Sequence, residues 1–149
     1  MKKAFTMIEL IFVIVVIGIL AGVALPRLAA NRDDAEITKA KAQVASIRAG
    51  IQTKRSANLL SSNDMKNSGY PESLDNGDDL FGNVLSPAIK SSNDNGWSKS
   101  GDTYTYKLNG KTATFTYHKS DVKEGDKIKI KAGSFVCSGD EDFCNLLDK

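Results

Sequence analysis

One histidine and two cysteines are all this chain holds of the side chains that most often activate nucleophiles or bind transition metals. A structural zinc site takes four Cys or His ligands, so that set cannot be assembled here. No nucleophile elbow, glycine-rich phosphate loop or dinucleotide fingerprint is present either. His118 falls on the threonine face of an alternating stretch and reads as a surface histidine rather than a general base. No catalytic residue and no cofactor is therefore expected, and the chain does not read as an enzyme. An excess of one charge is missing too. The formal +2 comes from Lys2 and Lys3, and the rest of the chain balances its 18 acidic residues. A basic nucleic-acid-binding face is not indicated, and nucleic acid is not the expected primary partner.

What is present is concentrated at the start. From Phe5 to Leu25 the residues are apolar or small except for Thr6 and one charge, Glu9. As a helix this stretch would reach about 30 Å, the thickness of a bilayer core. A carboxylate one turn into such a segment is costly and marks function, with an amino group as its natural partner. Lys2 and Lys3 ahead of the run would hold that end on the cytoplasmic side. Arg27 and Arg32 on the far side compete, but Asp33 and Asp34 follow them.

The string Ala4-Phe5-Thr6-Met7-Ile8-Glu9-Leu10, behind a short lysine-containing leader, resembles the class III signal of type IV pilins and type II secretion pseudopilins. The resemblance implies cleavage by a prepilin peptidase between Ala4 and Phe5, and N-methylation of Phe5. It implies that Glu9 pairs with the terminal amine of a neighbouring subunit during filament assembly. Gly18 and Pro26 stand where the family has a glycine and a proline. The family usually has glycine before the cut, and this chain departs from that pattern with Ala4, a small residue one methyl larger. The motif is specific across residues 2–26, weaker to about residue 58, and only architectural beyond. Implied partners are the prepilin peptidase, further copies of the chain, other pilins or pseudopilins, and an inner-membrane assembly platform. The implied localisation is a single pass through the inner membrane, N-terminus cytoplasmic and head periplasmic, followed by entry into a pilus or pseudopilus. Secretion, adhesion, motility and DNA uptake all remain open as the service performed.

The remaining sequence fits an α+β fold of the pilin kind: a long N-terminal helix packed on a small antiparallel sheet. Residues 1–4 read as a leader, 5–26 as a transmembrane or filament-core helix, 27–58 as its amphipathic continuation, and 59–149 as a globular head. Residues 27–57 contain no proline, and Ala30, Ile37, Ala40, Val44, Ile47 and Ile51 recur at helical spacing. Such a stripe seeks an apolar partner within its own domain. Pro26 should kink or loosen the helix, and Gly18 and Gly22 weaken the same stretch or let helices approach closely. Residues 59–100 are polar, with a short helix expected over Asp78–Leu85 capped by Asp78. Trp97 reads as a packing aromatic. Thr103–Leu108 and Thr112–His118 alternate around Asn109-Gly110, a strong hairpin signal that sets Tyr106 opposite Ala113 and Tyr104 opposite Phe115. Lys127–Lys131 alternates as well and is expected in the same sheet, its lysines guarding an edge. The alternative use of that row is phosphate contact.

Cys137 and Cys144 lie close together near the C-terminus and read as a disulfide in an oxidising space, the other reading being two reduced thiols. Asp140-Glu141-Asp142 sits between them, and Asp75, Asp78 and Asp79 form a second acidic cluster. Both read as solvated loops. The calcium loops of some major pseudopilins give the other reading, a calcium site, although no EF-hand spacing supports it. A rival to the filament subunit is a secreted or anchored periplasmic binding domain, with Gly22-Val23-Ala24 ending an ordinary signal sequence. An enzyme on a membrane anchor is the third reading, and the missing motifs weigh against it.

Overall fold

The computed structural model describes residues 5–61 and 66–148, the side chains of residues 24–31 and 66–67 excepted. Helix α1 runs Met7–Leu60 and is followed by a 3-10 turn at Lys66–Gly69. Six strands follow: β1 (Gly96–Ser100), β2 (Thr103–Leu108), β3 (Lys111–His118), β4 (Val122–Glu124), β5 (Lys127–Ile130) and β6 (Ser134–Gly139). Helix α2 (Glu141–Asp148) ends the described chain. The residues divide into two compact units, Met1–Glu36 and Ile37–Lys149.

In the second unit a four-stranded antiparallel sheet has the order β1-β2-β3-β6. The β2–β3 hairpin forms because Asn109 (φ 49°) and Gly110 (φ 79°) both take the left-handed conformation that a tight primed turn requires. Tyr104 stands opposite Phe115 and Tyr106 opposite Ala113. That register puts the apolar members of both strands on one face. The helix supplies the matching surface. Ala40, Val44, Ile47 and Ile51 are buried, with Ile37 packed at the margin of the same cluster. Each fully buried aliphatic side chain contributes about 1.5–3 kcal/mol relative to exposure. Between the stripe and the sheet lie Phe81, Trp97, Phe115 and Phe135, with Phe115 and Phe135 stacked at 4.9 Å and Phe81 edge-on to Trp97 at 5.3 Å. The buried Trp97 indole N–H donates to Gln43 Oε1 of α1 at 3.0 Å. This tie meets the need of a buried polar atom for a partner.

Three elements differ from the sequence expectation. No helix forms over Asp78–Leu85. Phe81 has φ 61°, which a right-handed helix excludes, and Leu80 pairs with Ile89 as an isolated bridge. The Lys127–Ile130 strand does not join the main sheet. It pairs with Val122–Glu124 as a separate ribbon. The acidic run expected as a loop instead opens α2, where the Phe143 N–H donates to Asp140 Oδ1 at 3.0 Å. Asp140 is thus the N-cap, and Glu141 and Asp142 lie in the first turn, favoured by the helix dipole. Phe143 and Leu147, four apart, are the buried side of that helix.

Candidate functional site

The N-terminal segment carries the site that the sequence singles out. Phe5 lies ahead of the helix and is 77% exposed. Thr6 starts the helix. The Glu9 N–H donates to Thr6 Oγ1 at 3.3 Å, and the Leu10 N–H donates to the Thr6 carbonyl at 3.2 Å. Threonine as N-cap with glutamate three residues later is the capping-box spacing. The sequence reading passed over this signal, although Thr6-Met7-Ile8-Glu9 displays it. Glu9 is therefore held in the first turn, where a carboxylate is favoured by the positive end of the helix.

From Leu10 to Val23 the helix is apolar and exposed on every side. Large apolar residues from Phe5 to Val23 are exposed, from 37% at Val16 to 77% at Phe5 and Met7. Gly18 and Gly22 present open backbone, since a Cβ at either would meet nothing within 4 Å. They are four residues apart and so share one side of the helix. A monomeric soluble protein rarely exposes so large a contiguous apolar surface. Ala4 lies outside the described residues. Pro26 falls within α1, and its side chain lies outside them.

One expectation is overturned. Among the described residues, no helix is long and apolar enough to cross a membrane. Glu9, a charge one turn into the helix, interrupts the apolar stretch that was expected to span. The transmembrane helix, and with it the single-pass inner-membrane topology with cytoplasmic N-terminus and periplasmic head, is corrected accordingly.

The second unit holds the other residues of interest. Cys137 on β6 and Cys144 on α2 form a disulfide, with their α-carbons 5.7 Å apart. The bond ties the C-terminal helix to the sheet. Arg48 of α1 reinforces the same corner, donating to the Phe135 carbonyl at 2.9 Å and to Asp148 Oδ1 at 2.7 Å. Asp75 does not stand in an open acidic cluster with Asp78 and Asp79. Its side chain is 8% exposed and accepts from Lys99 Nζ, from the Tyr104 hydroxyl at 2.9 Å and from the Phe81 N–H at 2.9 Å. Three donors on one carboxylate make it a structural hub. Burial, reinforced by the Asp75 hydrogen bond, holds the Tyr104 phenol well above its ordinary pKa. Burial likewise raises Tyr117, whose hydroxyl donates to the Pro71 carbonyl at 2.9 Å. His118 ends β3 opposite Ser134. Among the described residues, no group of three or more His, Cys, Asp or Glu is placed to hold a metal ion. Of the acidic run between the cysteines, expected as a solvated loop, Asp140 caps α2 while Glu141 and Asp142 stay exposed in its first turn.

Compared with known proteins, residues 1–25 match the prokaryotic N-terminal methylation motif. The chain matches no curated protein and no solved structure. A prepilin-type cleavage and methylation motif is thus present at the head of α1, and it supports membership of the pilin and pseudopilin superfamily without selecting a family within it.

Proposed function

We propose that the chain is a prepilin: a structural subunit cut between Ala4 and Phe5 by a prepilin peptidase, N-methylated on Phe5, and polymerised into a type IV pilus or type II secretion pseudopilus. The observation that carries this reading is the bare apolar helix surface of Phe5–Val23, marked by one carboxylate and preceded by the methylation motif. Such a surface is satisfied by packing against the same surface of other subunits. Gly18 and Gly22 offer the smooth side on which two helices can come close. An unpaired carboxylate in such a packed core carries a desolvation penalty of several kcal/mol. Pairing Glu9 with the methylated Phe5 amine of a neighbour offsets that cost in one register only, so the pair selects against misplaced subunits. A helix resting on a four-stranded sheet supplies the head of a pilin-like subunit. An assembly platform, and other pilins or pseudopilins, complete the partners. Filaments of this kind serve secretion, adhesion and motility, or DNA uptake.

The test is Glu9→Leu in cells that make no other copy of the protein. The variant should accumulate and be processed, while its recovery in sheared filaments falls about tenfold or more, the loss expected of a pair worth over ~1.4 kcal/mol. Filaments formed at the normal level would refute the role given to Glu9.

A further inference from the structure

Between His118, the last residue of β3, and Ser134, the first of β6, the chain leaves the main sheet and forms the β4–β5 ribbon. Every residue from Lys119 to Lys129 is exposed. A two-stranded ribbon standing alone is marginal in water. This one also leaves apolar side chains uncovered, Val122 at 37% and Ile128 at 50% exposure. The register sets Lys123 directly opposite Ile128, so the two share a face. Ile128 and Lys131 overhang a cleft whose far side is Arg55 and Tyr70, the Arg55 guanidinium lying 4.7 Å over the Tyr70 ring. Among the described residues, Asp121 is the one acid lining that cleft, and it accepts the Ala132 N–H at 2.8 Å. This face is basic and apolar together.

The opposite end of β6 has the complementary chemistry. Gly139 leads through the Asp140 cap into α2, whose buried side is Phe143 and Leu147. Its outward side carries Glu141, Asp142, Asn145 and Leu146, with Leu146 47% exposed. Helix α2 contains no basic residue. The hairpin lysine Lys111 shares this end of the sheet. At about 3.3 Å per residue the two ends of β6 are roughly 17 Å apart.

We propose that the cleft face of the β4–β5 ribbon is a docking surface for a second copy of this chain, which presents the outer face of its α2. Lys123 and Lys131 meet Glu141 and Asp142, and Ile128 meets Leu146. The proposal rests on the assembly reading above. Complementary patches at opposite ends of one strand make a heterologous contact, the kind that extends into a helical filament when its rotation does not close. Each exposed ion pair contributes under about 1 kcal/mol. The charges therefore choose the partner and its register, while the apolar pair and the repetition of the contact along the filament hold it.

The experiment uses the full chain in cells without the wild-type copy. One variant is Lys123→Glu with Lys131→Glu, and the other is Glu141→Lys with Asp142→Lys. Either alone sets like charges together and should lower sheared-filament yield about tenfold. Made together they should alternate and restore it, because each variant then meets opposite charge at both ends. That restoration also shows that both variants fold. If both single-site reversals assemble like wild type, the contact is refuted and the assembly reading stands. Loss of assembly without rescue by co-production points to another acidic partner and equally overturns the contact. A wild-type chain that forms no filaments overturns the assembly reading, and this contact with it.

Discussion

Gly50 of α1 faces the main chain of Val84 so closely that a Cβ at position 50 would stand 2.2 Å from the Val84 carbonyl oxygen. The loop carrying Val84 is itself fixed, since its N–H donates to the Phe81 carbonyl at 3.0 Å and Phe81 is buried in the core. Gly50→Ala should gain up to about 1 kcal/mol of helix propensity. Displacing a backbone carbonyl should cost more, about 1–3 kcal/mol as overpacking does. Net destabilisation in a urea melt is the expected outcome. A variant more stable than wild type would mean that this loop is not seated on the helix.

The Cys137–Cys144 bond joins β6 to α2 across a short loop. Closing a loop of that size stabilises by about 2–3 kcal/mol on the chain-entropy model. Replacing both cysteines by alanine should lower the melting temperature by roughly 10 °C, and α2 should become the first element to exchange its amide protons. Thiol labelling of the native wild-type protein without reductant should modify neither residue. Ready labelling of both would refute the bond.

The hairpin register could be read because its alternation has period two and Asn109-Gly110 accepts only a tight turn. The α1 stripe could be read because Ala40, Val44, Ile47 and Ile51 keep strict helical spacing. Strand β1 could not, since Gly96–Ser100 offers one apolar residue, Trp97, and gains its order from pairing with β2. Helix α2 was hidden by its acids. Asp140-Glu141-Asp142 resembles a solvated loop until Phe143 and Leu147 are noticed four residues apart. The helix expected at Asp78–Leu85 had the right spacing, but Phe81 turns left-handed so that its ring can stack on Tyr104 at 4.6 Å. At the N-terminus, the motif and the apolar surface were both legible. The span was not, because it was inferred from the length of the apolar run alone, and among the described residues no helix is long and apolar enough to cross a membrane.

Tyr104 gives the fold a dependence on alkaline pH. Burial and the hydrogen bond to Asp75 raise its pKa in the folded chain. An unfolded tyrosine titrates near 10. The unfolded state therefore loses this proton first. The stabilisation is fully present below about pH 10 and is lost as pH rises from there towards the folded value. Tyr117 acts in the same direction. Melting temperature should be flat from neutral pH to about 9.5 and then fall. Tyr104→Phe should be less stable at neutral pH, having lost a charge-assisted hydrogen bond, yet fall less steeply above pH 10. A slope identical to wild type would mean that this phenol does not titrate differently on unfolding.

The remaining prediction concerns the first residue of the mature chain. Thr6 caps α1, so the helix begins behind Phe5 and leaves that residue outside the hydrogen-bonded turns. A peptide bond ahead of the cap is free to take the extended form that a peptidase binds, whereas one inside the helix would first have to unwind. The mature chain should accordingly begin at Phe5 and carry an N-methyl group, which leaves the amine protonated and able to meet Glu9. Intact-mass and N-terminal fragment spectra of protein recovered from filaments would read both features at once. Thr6→Ala, which removes a cap worth about 1 kcal/mol, should fray the first turn without moving the cut. A terminus at Leu25 would instead identify an ordinary signal sequence, because Glu9 and the whole apolar surface would then be absent from the working protein. Retention of Met1 in assembled filaments would be equally decisive, since Glu9 could then find no Phe5 amine to pair with.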